Sequence, residues 1–401
     1  MRIKKRHIFA TYCGFELCYY IYSKYYTYKQ LDNIDYNINR GIITDNISMN
    51  MYIQFKRYFT NESDLTKYFS ESFLNIKALT LNNISKLFLY HIFNIHPNIH
   101  SNIPVKNIEH INNLLDIIKP KVGPGIINEN DDGIEVITGH YAINKLNILH
   151  KPYIFYMIMY IIRKIFNIYM RIKGYTYIID SATNIRVWIK YNKIHTIPLV
   201  FIHGFGMGIL PYITKINNLS HTRTIIIPEI PNLSYDLYKM PPPSIDNIIN
   251  VIYDILLKLN ITRIDIMGHS FGTNVLNAFQ QKYPHICNYK TYAEPTCFYI
   301  QQPQLSLVVY KPYPISFNFK YVLNIFVFRD QYVQYITKRC IFVEQSLIEN
   351  FDKKTTIILA KYDYLLPATH IYDYIRTYYP NVNIFMSNGN HGAWVMDNTT
   401  Y

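Results

Sequence analysis

Gly268-His269-Ser270-Phe271-Gly272 lies between a strand-like run, Arg263 to Met267, and a helix-like run, Thr273 to Lys282. A serine hydroxyl is a poor nucleophile, so acyl-transfer chemistry needs it on a tight turn with Oγ exposed and a base in reach. Glycines on both flanks leave room for such a turn. With only 14 glycines in 401 residues, the pattern would arise by chance about 0.02 times in a chain of this composition. The same chemistry requires a base, an acid to orient it, and donors for the oxyanion.

Each of these has a candidate at the end of a strand-like run. His391, in Asn388-Gly389-Asn390-His391-Gly392, follows the last such run on a glycine-containing loop and is the expected base. Asp363 stands three residues beyond Thr355 to Ala360 and is the expected acid. Its competing role is to cap the helix that follows. Glu294, just after Asn288 to Ala293, is the alternative acid. The loop Ile202-His203-Gly204-Phe205-Gly206-Met207-Gly208 leaves an apolar strand through three glycines. The backbone N–H groups of Phe205 and Phe271 are therefore the expected oxyanion donors, with His203 bracing the loop. No metal or organic cofactor is called for.

The elements that must hold these groups read as strands alternating with helices from about residue 175. Thr176 to Ile179 and Arg186 to Tyr191 pair across an Asp180 to Asn184 turn. Pro198 to Ile202, Thr224 to Ile227, Arg263 to Met267, Asn288 to Ala293, Thr355 to Ala360 and Val382 to Met386 follow. Ser244 to Leu259 and Pro367 to Tyr379 have helical spacing, the first with a Ser244 cap. Such alternation predicts an α/β fold with a mostly parallel sheet and helices on both faces.

The chain order Ser270, Asp363, His391, together with GHSFG, HGFGMG and Asn390-His391-Gly392, resembles the α/β-hydrolase superfamily in its lipase, esterase and thioesterase-like group. The resemblance covers about residues 175 to 401. It implies a cap insertion at about 296 to 354, whose Tyr310, Tyr313, Phe317, Phe319, Phe326 and Phe328 suit an apolar lid. Pro295 to Phe298 and His150-Lys151-Pro152 are similar to features of membrane-associated fungal and plant members with an N-terminal helical extension. In one respect the sequence departs from the superfamily: ten residues follow His391, where a full final helix is usual. The implied activity is hydrolysis of a carboxylic ester or thioester through an acyl-enzyme. A peptidase or acyltransferase using the same residues, and a noncatalytic interaction or membrane-associated protein keeping the fold, are the alternatives.

Residues 1 to 150 read as a mostly helical extension and carry no legible chemistry. Leu65 to Phe93 and Ile108 to Ile118 have helical periodicity, and Pro97 separates His96 from His100, so that His91, His96 and His100 read as packing or surface histidines. Between extension and sheet, residues 151 to 174 read as a connecting helix with a hydrophobic run flanked by Arg163, Lys164, Arg171 and Lys173. It is either packed between the two parts or laid on a membrane surface. Residues 8 to 22, short of the about 20 apolar residues a spanning helix needs and interrupted by Glu16, read as an amphipathic helix, with a membrane anchor as the alternative. The net charge of +13 accompanies heavy use of Lys, Asn, Ile and 40 Tyr, a coding bias that does not demand a nucleic-acid partner. Five cysteines without a CxxC pair fit a reducing, intracellular setting, cytoplasmic or membrane-associated. A small-molecule or lipid acyl ester is the expected partner.

Overall fold

The structure is a computed structural model describing residues 5–32, 44–66, 68–69, 79–95, 103–123, 127, 145–194, 196–233, 235, 242–298, 321–322, 324–341 and 351–396. Most of the expected cap, including Tyr310, Tyr313, Phe317 and Phe319, lies outside these residues, as do His96 and His100.

Eight strands form one sheet: β1 (Thr176–Ile179), β2 (Arg186–Lys190), β3 (Leu199–Ile202), β4 (Ile225–Glu229), β5 (Ile264–His269), β6 (Cys287–Ala293), β7 (Thr355–Ala360) and β8 (Asn383–Ser387). Their order is β1-β2-β4-β3-β5-β6-β7-β8. The β1/β2 and β2/β4 pairs are antiparallel and the rest parallel. Because successive side chains on a strand point to opposite faces, the continuous apolar runs of β3 and β4 serve two cores at once. Val200, Ile202 and Ile226 face the helices Ile245–Lys258, Phe271–Lys282 and Ala368–Tyr378, whereas Leu199, Phe201, Ile225 and Ile227 face Tyr153–Ile172 and Ile213–Ser220.

The chain leaves β3 toward β4 on one side and returns to β5 on the other. The carboxyl ends of β3 and β5 therefore flank a crevice that neither connection covers, the usual place for a ligand in such sheets. Against the expected bounds, β5 runs two residues further, to His269, and the next helix begins at Phe271. The glycines that look like a loop in sequence are the last turn of a strand and the first turn of a helix.

A separate aromatic cluster is built by the helices Asp45–Asn61, Leu81–Phe93 and Val105–Ile118. Phe59, fully buried, has ring neighbours Phe55, Tyr68, Phe69 and Phe88 at 5.3–5.9 Å. Lys121 Nζ donates to the carbonyls of Phe59, Thr60 and Glu62, each at 2.8 Å, and so closes the C-terminus of the first helix. Along the periodic stretch that starts at Leu65, Thr66, Tyr68 and Phe69 are helical, residues 70–78 lie outside the described residues, and the helix Leu81–Phe93 follows, where Thr80 accepts from the Asn83 N–H as cap. His91 is buried in that helix. This cluster meets the sheet region through Tyr58 Oη and His370 Nε2 at 2.9 Å, and through Arg57 stacked 4.1 Å above the Tyr378 ring.

The first helix, Lys5–Tyr22, lies apart from that cluster, against the start of Tyr153–Ile172. Glu16 accepts there from the N–H groups of Tyr153 and Ile154 at 2.9 and 3.2 Å. The carboxylate that interrupts an apolar run in the sequence is thus a helix cap supplied from another element. Residues 145–156 are in turn buckled to the described end of the cap. The Leu149 N–H donates to Arg329 O, and Lys151 pairs with the buried Asp330 at 3.2 Å.

Candidate active site

Ser270 sits between β5 and its helix with φ 52° and ψ −122°, a backbone conformation that costs free energy for any residue but glycine. The two glycines of the pentapeptide permit it. A side chain at Gly268 would run into the backbone of Gly272, and one at Gly272 into the carbonyl of Ile202 at the end of β3. Strand, turn and helix are therefore packed so closely that only hydrogen fits at these two points. Gly204 is tight but less so, since a Cβ there would stand 3.0 Å from that of Ser270.

His391 Nε2 lies 2.9 Å from Ser270 Oγ, and its Nδ1 lies 2.8 Å from Asp363 Oδ2. The side chains of His391 and Asp363 are 9% and 0% exposed. The competing role for Asp363, capping the helix that follows, does not occur, since that helix begins at Ala368 with Pro367 at its cap position. Oδ2 takes the histidine while Oδ1 accepts from the N–H groups of Leu365 and Leu366 at 2.8 and 3.1 Å, which fixes the carboxylate plane. Burial works against charge on His391. The adjacent Asp363 carboxylate, its hydrogen bond and the more distant Glu294 outweigh that and push its pKa up to about 9.

Glu294 lies in the same centre and does different work. It is fully buried with φ 46°, and its Oε2 is 2.8 Å from His269 Nε2 but 3.8 Å from His391 Nδ1. The same carboxylate accepts from the N–H of Gly392, and from that of Trp394 at 3.3 Å. Burial would raise its pKa. The hydrogen bond from His269 and the nearby His391 overcome this and hold it down at about 2. Support for the histidine loop comes from this carboxylate and from Trp394, buried and stacked on the His269 ring at 5.8 Å.

Sequence reasoning missed His269, Tyr212 and Trp394. The Tyr212 hydroxyl accepts from the Gly204 N–H at 3.1 Å and stands 2.7 Å from His269 Nδ1. With that hydroxyl donating to Nδ1, His269 carries its proton on Nε2 and gives it to Glu294. One hydrogen-bonded path thus runs behind the nucleophile from the Gly204 loop to the His391 loop. The signal available was the register that sets His269 beside Ala293, one residue before Glu294. Register between parallel strands is not written in either strand alone.

His203 is buried. It accepts from the Ile230 N–H at 3.1 Å through Nε2 and donates to Gly204 O at 2.8 Å through Nδ1. Gly204 is thereby held by its N–H and its carbonyl, which orients the peptide leading to Phe205. The Phe205 and Phe271 rings stack at 4.5 Å, and the two residues nominated as oxyanion donors face each other across the crevice. Phe271 opens its helix, where N–H groups have no intrahelical acceptor. His269, Glu294 and His391 have donor atoms within 4.8 Å of one another, a spacing suited to a metal. Those atoms are already engaged with each other and with Asp363.

Residues 197–295 match a family model described as the α/β hydrolase fold. The abhydrolase domain-containing protein abhd-5.2 of Caenorhabditis elegans is 26% identical over 113 residues, which are 27% of this chain and 26% of that protein. Among solved structures, a carboxylesterase study of the thaumarchaeon Nitrososphaera gargenis gives a TM-score of 0.40 at 15% identity, covering 55% of this chain and 93% of the other. A bacterial membrane phospholipase A gives 0.41 at 14%, covering 60% and 88%. Carboxylesterase CesB of Bacillus subtilis gives 0.38 at 12%, covering 54% and 85%. By the family match over residues 197–295 and the mostly parallel eight-stranded sheet that frames it, this chain has the α/β-hydrolase fold.

Proposed function

We propose that the protein is a serine hydrolase that cleaves a carboxylic ester or thioester, with an apolar acyl group preferred. The observation that carries this reading is the hydrogen-bonded series Ser270, His391, Asp363, with the serine on a strained turn beside two candidate oxyanion donors. In the reaction, Ser270 Oγ attacks the carbonyl carbon as His391 Nε2 takes its proton. The carbonyl oxygen becomes an oxyanion opposite the Phe205 and Phe271 N–H groups. Collapse expels the alcohol or thiol, which leaves with the proton from His391. Water, deprotonated by the same nitrogen, then attacks the acyl-enzyme and releases the acid and Ser270. Asp363 stabilises the imidazolium throughout and keeps Nδ1–H pointed away from the serine.

Labelling of the folded protein by a fluorophosphonate tests the proposal. An adduct on wild type that vanishes in Ser270→Ala is expected, with ester turnover falling at least about 10⁴-fold. Absence of a Ser270-dependent adduct on wild type would instead favour the noncatalytic alternative. A rate series across acyl chain lengths addresses the apolar preference, which fails if acetate esters are cleaved best.

A further inference from the structure

On the helix Tyr153–Ile172, the side chains of Tyr156, Phe166 and Met170 are buried against the body of the protein, and Arg163 reaches Glu229 at 3.2 Å. The outward side carries six isoleucines: Ile154, Ile158, Ile161, Ile165, Ile168 and Ile172, which are 47–77% exposed. At 100° per residue they fall within an arc of about 80°, and they extend about 27 Å along the axis. Isolated exposed apolar residues need no explanation, but a continuous one-residue-type stripe of this length on a helix does. The helix Lys5–Tyr22, docked at its start, also exposes Phe9, Phe15 and Leu17, at 70%, 48% and 59%, though on different sides of its axis.

We propose that this face docks on an anionic phospholipid surface, with the helix Tyr153–Ile172 lying in the plane of the interface. Charge selects that occupant. Lys164, Arg171 and Lys173 are exposed beside the stripe, and no acidic residue occurs from 153 to 179. Two copies of the helix laid together would set these cations against one another with no carboxylate to pair them. An aromatic ring that favours headgroup depth is present as Tyr160, 46% exposed, with Lys164 above it at 5.1 Å. Spanning is excluded by the buried side and the Arg163–Glu229 pair. Among the described residues no helix is long and apolar enough to cross a membrane.

The face also adjoins the active site. At the start of the helix, Phe155 packs on Tyr235 and Phe326 at 5.1 and 5.8 Å. Val327 lies 3.9 Å from where a Cβ of Gly206 would stand, in the loop after β3. A molecule docked by this face holds the described end of its cap next to the lipid.

Flotation of the full chain with vesicles tests the docking. Binding is expected to phosphatidylcholine vesicles containing about one-third phosphatidylserine and to be far weaker to phosphatidylcholine alone. Ile158→Asp/Ile165→Asp, whose side chains are exposed and whose fold is checked by circular dichroism, is expected to bind at least about tenfold more weakly. Ser270→Ala is expected to bind as wild type, so that docking and catalysis fail independently. The proposal is overturned if wild type does not float with anionic vesicles, or if the double variant floats equally well. It is also overturned if sedimentation shows a wild-type oligomer that the double variant dissolves, which would assign the stripe to a second copy.

Discussion

The cluster built by helices between residues 45 and 118 and the sheet that begins at Thr176 are both well buried, but they bury different things. Around Phe59 the contacts are ring on ring, with Lys121 closing one helix and Tyr58 reaching outward to His370. At the carboxyl edge of the sheet, Ser270, His391, Asp363, Glu294, His269 and Tyr212 are brought into one hydrogen-bonded assembly, with two non-glycine residues held at positive φ. An aromatic core gains stability from area and tolerates approximate geometry. The carboxyl edge of the sheet gives up some backbone stability for fixed directions.

The sharpest way to break that contrast is Asp363→Asn. Loss of the correct histidine tautomer should lower kcat by about 10⁴-fold while the melting curve shows a folded protein, and Glu294→Gln should lower kcat far less. Equal losses from the two variants would mean that the acid has been misassigned. Next in size is Phe59→Ala, expected to cost about 3–5 kcal/mol in denaturant unfolding of its cluster and to leave kcat per folded molecule unchanged. A large kcat change there would show that the two regions are not separate in function.

Titration gives a smaller effect. Since His391 must be neutral to accept the serine proton and its pKa is raised to about 9, kcat/KM should climb about tenfold per pH unit up to that value and then level off. A plateau already at pH 7 would contradict it. The sign for stability is opposite: the raised pKa favours the folded state fully below the ordinary 6.5, and that contribution is lost as pH rises through about 9. The smallest expected effect is Arg57→Ala at the junction with Tyr378, roughly 1 kcal/mol in thermal unfolding and nothing in turnover.

The strand and helix alternation was legible because buried strands and amphipathic helices have distinct periods, and because glycines around Ser270 and after β3 have a steric reason to be there. Chain order alone paired Ser270, Asp363 and His391 as candidates, and the structure brings these side chains into contact. The second network was hidden for a physical reason. Tyr212, His269, Glu294 and Trp394 come from four elements, and what joins them is strand register and one carboxylate that accepts from several sides. Glu294 was visible in sequence only as a competitor of Asp363, because a residue type announces its chemistry before its partners. The isoleucine stripe was legible only in part: Tyr153 to Ile172 reads as a helix either packed or laid on a membrane surface, and its sides cannot be told apart until the buried one is known.

The bonds from Glu294 to His269 and to the Gly392 N–H have a kinetic consequence. His269, just before Ser270, and Gly392, just after His391, are tied to one carboxylate at the end of β6, which holds the His391 ring beside the serine while this knot persists. Departure of the histidine loop requires breaking several hydrogen bonds to a buried anion at once. Opening and closing of this site is therefore a rare, concerted event on the timescale of local unfolding, and not the rapid drift of a free surface loop.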